Sequence, residues 1–263
     1  MKRLILAALA VLALSGAARA ETACLLIADA VTGDLVHQEG EGCDDRIGPA
    51  SSFKFTLALM GFDAGILTDA DNPAWPYKKS YAAVRSADKA TTTPERWMRE
   101  SILWYSRVLV EKLGAERFGA YVVAFDYGNA DVSGEPGQDN GMTHSWLNTS
   151  LLISPAEQLR FVRRFLLGDL PVTADAISRT AAVTPAFDPG GGWTIRGKTG
   201  TGYIRDANGK LGKRQYGWFI GWATTEGRTY AFSYLAKNTK PGGSALGPRT
   251  RDDLIARWLE LVE

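Results

Sequence analysis

Hydrophobic and polar positions divide the chain into a short sheet-like opening, a helical middle and a sheet-like end. Leu25-Leu26-Ile27-Ala28-Asp29, Thr32-Gly33-Asp34 and Leu35-Val36-His37 follow one another as apolar run, polar turn and apolar run. This order predicts strand, turn, strand. Ser51 to Gly61 is apolar and free of Pro, which predicts a buried helix starting at Ser51 or Ser52. Residues 69–95 are rich in Asp, Pro, Lys and Thr and predict an exposed excursion. Pro94 suits the first turn of a helix that runs through Trp97, Leu103 and Val110 to Gly114. Phe118, Tyr121, Val122 and Phe125 recur at helical spacing and predict a helix from Glu116 to Phe125. A Gly/Asp/Asn-rich loop follows over 126–145. Ser154-Pro155-Ala156-Glu157 then reads as a helix start, and Leu159, Val162, Phe165 and Leu166 continue its face.

The last third changes period. Trp193 to Arg196, Gln215 to Ala223 and Arg228 to Ala236 are aromatic and β-branched, with Thr225-Glu226-Gly227 joining the last two as an antiparallel hairpin. Leu254, Trp258, Leu261 and Val262 mark a closing helix. The expected fold class is α+β: a central antiparallel sheet built from both chain ends, flanked by helices, with a mostly helical insertion. The sheet part is expected at about 21–48 and 190–263, and the helical part at about 49–189.

The first twenty residues stand apart from that domain. Lys2 and Arg3 precede an apolar run from Leu4 to Leu14, and the segment closes on Ala18-Arg19-Ala20. A basic start, a run too short to span a bilayer and an A-x-A ending describe a cleavable secretory signal, so 1–20 is expected to be removed and 21–263 to form one domain. The domain is then soluble in the exported compartment, periplasmic in the Gram-negative manner, with no membrane anchor. Without the signal the chain holds 27 basic against 29 acidic residues, a formal charge of −2. That balance gives no electrostatic reason to expect nucleic acid. Export favours one disulfide between Cys24 and Cys43 at the two ends of the hairpin; the alternative is two free buried thiols. Two His and two Cys leave little room for a metal site, and none is expected.

Two motifs compete for the chemistry. Gly192 to Thr199 matches the phosphate-loop pattern letter for letter. That loop needs a helix immediately after its Lys, whereas Gly200-Thr201-Gly202 follows here among strand formers, so the match is rejected. Ser51-Ser52-Phe53-Lys54 places a Ser and a Lys on one helical face. Its surroundings are apolar, and desolvation lowers the pKa of a lysine until a neutral amine can activate a hydroxyl. Alone, S-x-x-K also describes a capping Ser followed by a surface Lys. Lys198-Thr199-Gly200 on a predicted strand adds the second half of the signature of penicillin-recognising serine enzymes.

With both motifs in place, the chain from about Ala23 to the C-terminal helix resembles the class D (OXA-type) serine β-lactamases. Pro49-Ala50-Ser51-Ser52-Phe53-Lys54 is similar to the family's P-A-S-T-F-K, Tyr127-Gly128-Asn129 to its Y-G-N, and Trp146-Leu147 to its W-L. The family's S-x-V fits Ser106-Arg107-Val108 literally. Family spacing to the helix-ending Gly and to the Tyr instead selects Ser101-Ile102-Leu103, counted to Gly114 and Tyr127, with Leu103 in place of Val.

The resemblance implies a penicillin-hydrolysing, antibiotic-resistance enzyme. Its acyl-enzyme would form on Ser51, and Lys54 would act as general base after carbamylation by carbon dioxide or bicarbonate, held by Trp146. No other cofactor is implied. Ser101 would relay a proton to the leaving nitrogen, and Ser51 and Thr201 backbone N–H groups would form the oxyanion hole. Tyr127, Lys198, Thr199, Gly200, Thr201 and Arg251 would contact substrate, with Arg249 a rival for the carboxylate. The partners are small β-lactams, and the expected state is monomer or homodimer. Rival readings on the same fold are a membrane-tethered β-lactam sensor and a cell-wall transpeptidase.

Overall fold

The computed structural model describes residues 20–206 and 208–263. The leader-like residues 1–19, and with them the expected signal, lie outside the described residues. Six strands form one antiparallel sheet in the order β2-β1-β6-β5-β4-β3. They are β1 (Ala20–Asp29), β2 (Leu35–Glu39), β3 (Ala186–Phe187), β4 (Thr194–Arg205), β5 (Leu211–Thr225) and β6 (Arg228–Asn238). β1 pairs with both β2 and β6, so the N-terminal hairpin is stitched to the C-terminal strands. The expected sheet from both chain ends is present. Cys24 and Cys43 form a disulfide with a Cα–Cα distance of 5.0 Å, which closes the hairpin at its open end.

The helices are α1 (Lys54–Asp63), α2 (Pro94–Glu100), α3 (Leu103–Leu113), α4 (Ala115–Ala124), α5 (Gly141–His144), α6 (Pro155–Leu167), α7 (Ala174–Val183) and α8 (Leu246–Val262). Strands alternate their side chains between faces, and the two faces of this sheet carry separate cores. Leu26, Trp218, Ile220 and Trp222 pack with Phe55 and Phe165 of the helical layer. Leu25, Ile27, Phe219 and Phe232 pack with Leu254 and Trp258 of α8. α1 lies inside the first core, with Lys54 and Phe55 through Phe62 all buried. The sandwiching of one strand set between α1 and α8 brings the start of α1 against β4.

Two expectations are corrected, and one helix was not anticipated. The helix read as continuous from Pro94 to Gly114 is broken: Ser101 sits at φ 59°, ψ 41°, between α2 and α3. The Ser51 segment is a tight 3-10 turn over Ala50–Phe53 that runs into α1, with Ala50 at φ 50°. α7 was not expected, because Ala174–Val183 offers few large apolar residues to carry a periodic signal.

Candidate active site

The turn at Ala50–Phe53 holds Ser51 half-buried at the mouth of a cleft between the helical layer and β4. Its backbone is pinned by Ala50 N donating to Trp146 O at 3.0 Å. Beneath it, Tyr127 Oη donates to Gln158 Oε1 (3.3 Å), Gln158 Nε2 donates to Ser52 Oγ (3.2 Å), and Ser52 Oγ donates to Pro49 O (2.7 Å). All three side chains are fully buried, so this polar chain is worth more as a brace than surface bonds would be. Tyr127 is thus corrected from the substrate-facing position expected of it. Packed on Phe53 and Phe161, it is fully buried and supports the nucleophile turn from below.

Lys54, one turn along, has its Nζ 3.1 Å from Ser51 Oγ. The side chain is fully buried, and among the described residues it has no ion-pair partner. Burial first, and then the charges of Lys198 and Arg85, hold its pKa well below the ordinary lysine range. Trp146 stacks on Phe53 with 5.7 Å between ring centroids. Its indole is fully buried, and among the described residues Nε1 has no hydrogen-bond partner. A buried N–H without an acceptor costs on the order of 1–3 kcal/mol, so an acceptor beside it would be well rewarded.

Across the cleft, Lys198 Nζ donates to Ser101 Oγ at 3.1 Å and to Thr199 O at 3.1 Å. Burial, with the charge of Arg251 next, lowers the Lys198 pKa to about 7. The left-handed turn at Ser101 is what directs that hydroxyl into the cleft. Ser106, the literal S-x-V match, is buried and accepts Trp97 Nε1 at 2.9 Å, so it belongs to the core. Leu103 opens α3 and packs partly buried against the main core.

Residues of β4 alternate as a strand requires. Lys198 faces the helical layer, while Thr201 Oγ1 accepts the Gly247 N–H of α8 at 2.8 Å. Gly200 between them touches the nucleophile turn: a Cβ there would stand 2.8 Å from Pro49 O, 2.9 Å from Ser52 N and 3.3 Å from Ser51 N. Only the missing side chain lets β4 lie this close to Ser51. Arg251 lines a cavity of about 390 Å³ together with Lys198, Thr199 and Phe187, its guanidinium 5.0 Å from the Phe187 ring centroid. Arg249 turns toward β6 instead, where Nη1 meets Asn238 Oδ1 at 3.4 Å. The two arginines are two residues apart on a helix, so they point to opposite sides.

A family model of the penicillin-binding-protein transpeptidase domain matches residues 23–255. The β-lactamase OXA-9 of Klebsiella pneumoniae is 43% identical over 238 residues, 88% of this chain and 85% of that protein. The chain belongs to the class D β-lactamases. OXA-1 of Escherichia coli is 35% identical across 80% of this class D chain and 74% of its own length. The solved structure of the class D β-lactamase OXA-427 superposes with a TM-score of 0.84 at 42% identity, covering 90% of this chain and 97% of that one.

Sequence reasoning missed two residues of this β-lactamase site. Ser52 reads as a helix-start residue but is a buried brace. Gln158 directly follows the Ser154-Pro155-Ala156-Glu157 helix start, and an uncharged polar residue on that helix's apolar stripe was the available signal. Among the described residues, no group of His, Cys, Asp and Glu could hold a metal ion, and no helix is long and apolar enough to cross a membrane.

Proposed function

We propose that the protein is an exported, periplasmic enzyme that hydrolyses the β-lactam amide of penicillin-type antibiotics through an acyl-enzyme on Ser51, and so confers resistance. The observation that carries this reading is the fully buried Lys54 amine, 3.1 Å from Ser51 Oγ and without a counter-ion among the described residues. A lysine held below its ordinary pKa is nucleophilic and can take up carbon dioxide, and the unpartnered Trp146 N–H is a ready donor to the resulting anion. Lys54 and Trp146 would hold that carbamate, which supplies a carboxylate-type base beside the nucleophile.

The chain's own residues account for the rest. Ser51 Oγ would give up its proton to the base at Lys54 and bond to the lactam carbonyl carbon, and the carbonyl oxygen becomes an oxyanion. The N–H groups of Ser51 and Thr201 would receive it, each such donor being worth about 3–4 kcal/mol. The lactam C–N bond then breaks, and Ser101, in contact with Lys198, passes a proton to the departing nitrogen. Lys198, Thr199 and Arg251 line one cavity and would receive the substrate carboxylate, with the Arg251 guanidinium supplying the permanent charge. Water finally cleaves the Ser51 ester, releasing the opened acid and restoring the hydroxyl. The enzyme acts as a monomer or homodimer.

The test is a chromogenic cephalosporin with purified protein, followed by intact-mass analysis with penicillin. Many turnovers per molecule and a transient adduct confined to Ser51 are expected. A single stoichiometric burst would make the protein a sensor, and an adduct that persists in Ser51→Ala would remove the nucleophile assignment.

A further inference from the structure

We infer that Arg85 and Asp88 are positioning residues for Ser101, and that the turn they close is a clamp on the bend that aims its hydroxyl. The inference rests on the proposed role of Ser101 as proton relay. The bend itself is costly. A serine with φ 59° occupies a backbone region that few non-glycine residues visit, and such conformations persist only where the surroundings impose them.

Residues 85–88 impose it from both sides. Arg85 Nη2 donates to Glu100 O at 2.6 Å, on the residue immediately before Ser101. Trp104 Nε1 donates to Asp88 O at 2.8 Å, three residues after it. The two ends of the clamp are joined to each other: Arg85 Nε and Nη2 both reach Asp88 Oδ1, at 3.0 and 2.6 Å, and Arg85 N meets Asp88 Oδ2 at 3.3 Å. The Asp88 side chain is 3% exposed beneath a guanidinium that is 56% exposed. The buried carboxylate therefore fixes the fork, and the fork fixes the Glu100 carbonyl. Arg96 of α2 anchors the same excursion through Ala87 O at 2.9 Å and Thr91 O at 2.7 Å. A segment that the sequence presents as a polar surface excursion thus holds a strained backbone next to the proposed relay.

Ser101 Oγ must meet Lys198 Nζ and the departing nitrogen at once, and a misplacement of about 1 Å is enough to cost roughly 100-fold in rate. Arg85 also carries a charge felt at Lys54 and Lys198, so clamp and field have to be separated. Arg85→Lys keeps the charge and loses the two-armed fork; Arg85→Gln loses both.

The experiment measures kcat/KM for a penicillin in the full-length enzyme carrying Arg85→Gln, Arg85→Lys, Asp88→Asn, Ser101→Ala and each pairing with Ser101→Ala, with the urea midpoint recorded for each. We expect about 10- to 100-fold loss in both Arg85 variants and in Asp88→Asn. In the Ser101→Ala background the same changes should cost less than about twofold, because the group they position is gone. Arg85→Lys behaving as wild type while Arg85→Gln is impaired would reduce the effect to charge and overturn the clamp. Equal losses with and without Ser101 would overturn it as well. Full activity in Ser101→Ala alone would instead remove the relay, and the clamp with it. If Arg85→Gln fails to fold, Arg85→Lys and Asp88→Asn carry the same comparison.

Discussion

Lys54→Met is the substitution that most directly interrogates the site. It replaces a fully buried amine with an unbranched apolar side chain of similar length. An unfolded lysine titrates near pH 10.4, whereas the folded Lys54 has its pKa held far lower by burial. Between those two values the unfolded chain binds one proton more at this position, so stability rises with pH there and falls as pH drops. The slope is about 1.4 kcal/mol per pH unit for each such lysine. Lys198, with its pKa lowered to about 7, adds a similar slope above pH 7 in both proteins and cancels from the comparison. Urea unfolding at pH 7.5, 8.0 and 8.5, in buffer free of carbon dioxide, should find the variant more stable than wild type at pH 7.5. The gap should shrink by about 1.4 kcal/mol over that one unit, roughly half a molar in urea midpoint for an m-value near 3 kcal/mol/M. Hydrolysis should be abolished throughout. Parallel stability lines would mean that Lys54 keeps its proton in the folded protein, and the base chemistry built on it would fall.

Other outcomes follow from the same geometry. Trp146→Phe removes the unpartnered indole N–H and keeps most of the ring packing on Phe53; the bicarbonate needed for half-maximal turnover should rise at least about tenfold, consistent with loss of one charge-assisted bond of roughly 1.5–3 kcal/mol. An unchanged bicarbonate titration would exclude that contact. Gly200→Ala drives a methyl to 2.8 Å from Pro49 O and 2.9 Å from Ser52 N; acylation measured by stopped flow should fall about 100-fold as the nucleophile turn is displaced. Arg251→Ala should raise KM for penicillins about 10- to 100-fold with kcat little changed, while Arg249→Ala leaves KM within a few-fold; the reverse pattern in steady-state kinetics would reassign the carboxylate anchor.

The parts of this protein that follow local rules were legible in its sequence. Alternating aromatic and β-branched residues announced β5 and β6, and the Ser154 capping box announced α6, where Ser154 Oγ accepts Glu157 N at 3.2 Å. Ser51 and Lys54 could be paired because one helical turn fixes their spacing whatever surrounds it. α7 has a cap signal, Thr173 Oγ1 accepting Ala176 N, but too few large apolar residues to be seen by period. The break at Ser101 had no local sign at all. Trp97, Leu103 and Val110 keep a helical rhythm across it, and Gly, the residue that permits left-handed backbone, is absent. Depth was equally hidden for Tyr127, since a resemblance gives a residue's place along the chain and not its distance from solvent.

These failures share a cause. Ala50 and Ser101 hold positive φ without glycine, and among the described residues Lys54 and Lys198 are buried without ion-pair partners and the Trp146 N–H is buried without an acceptor. Each departs from a rule that most local sequence obeys, and all of them line or border one cleft. Each is worth on the order of 1–3 kcal/mol against a total stability of about 5–15. The costs are offset by ordinary packing on both faces of the sheet, where the two cores hold large side chains in close contact. What the sequence conceals is therefore what the fold must supply from a distance. It supplies a clamp for Ser101, a brace under Ser51 and a dry pocket for Lys54, and each comes from residues far along the chain from the group it serves.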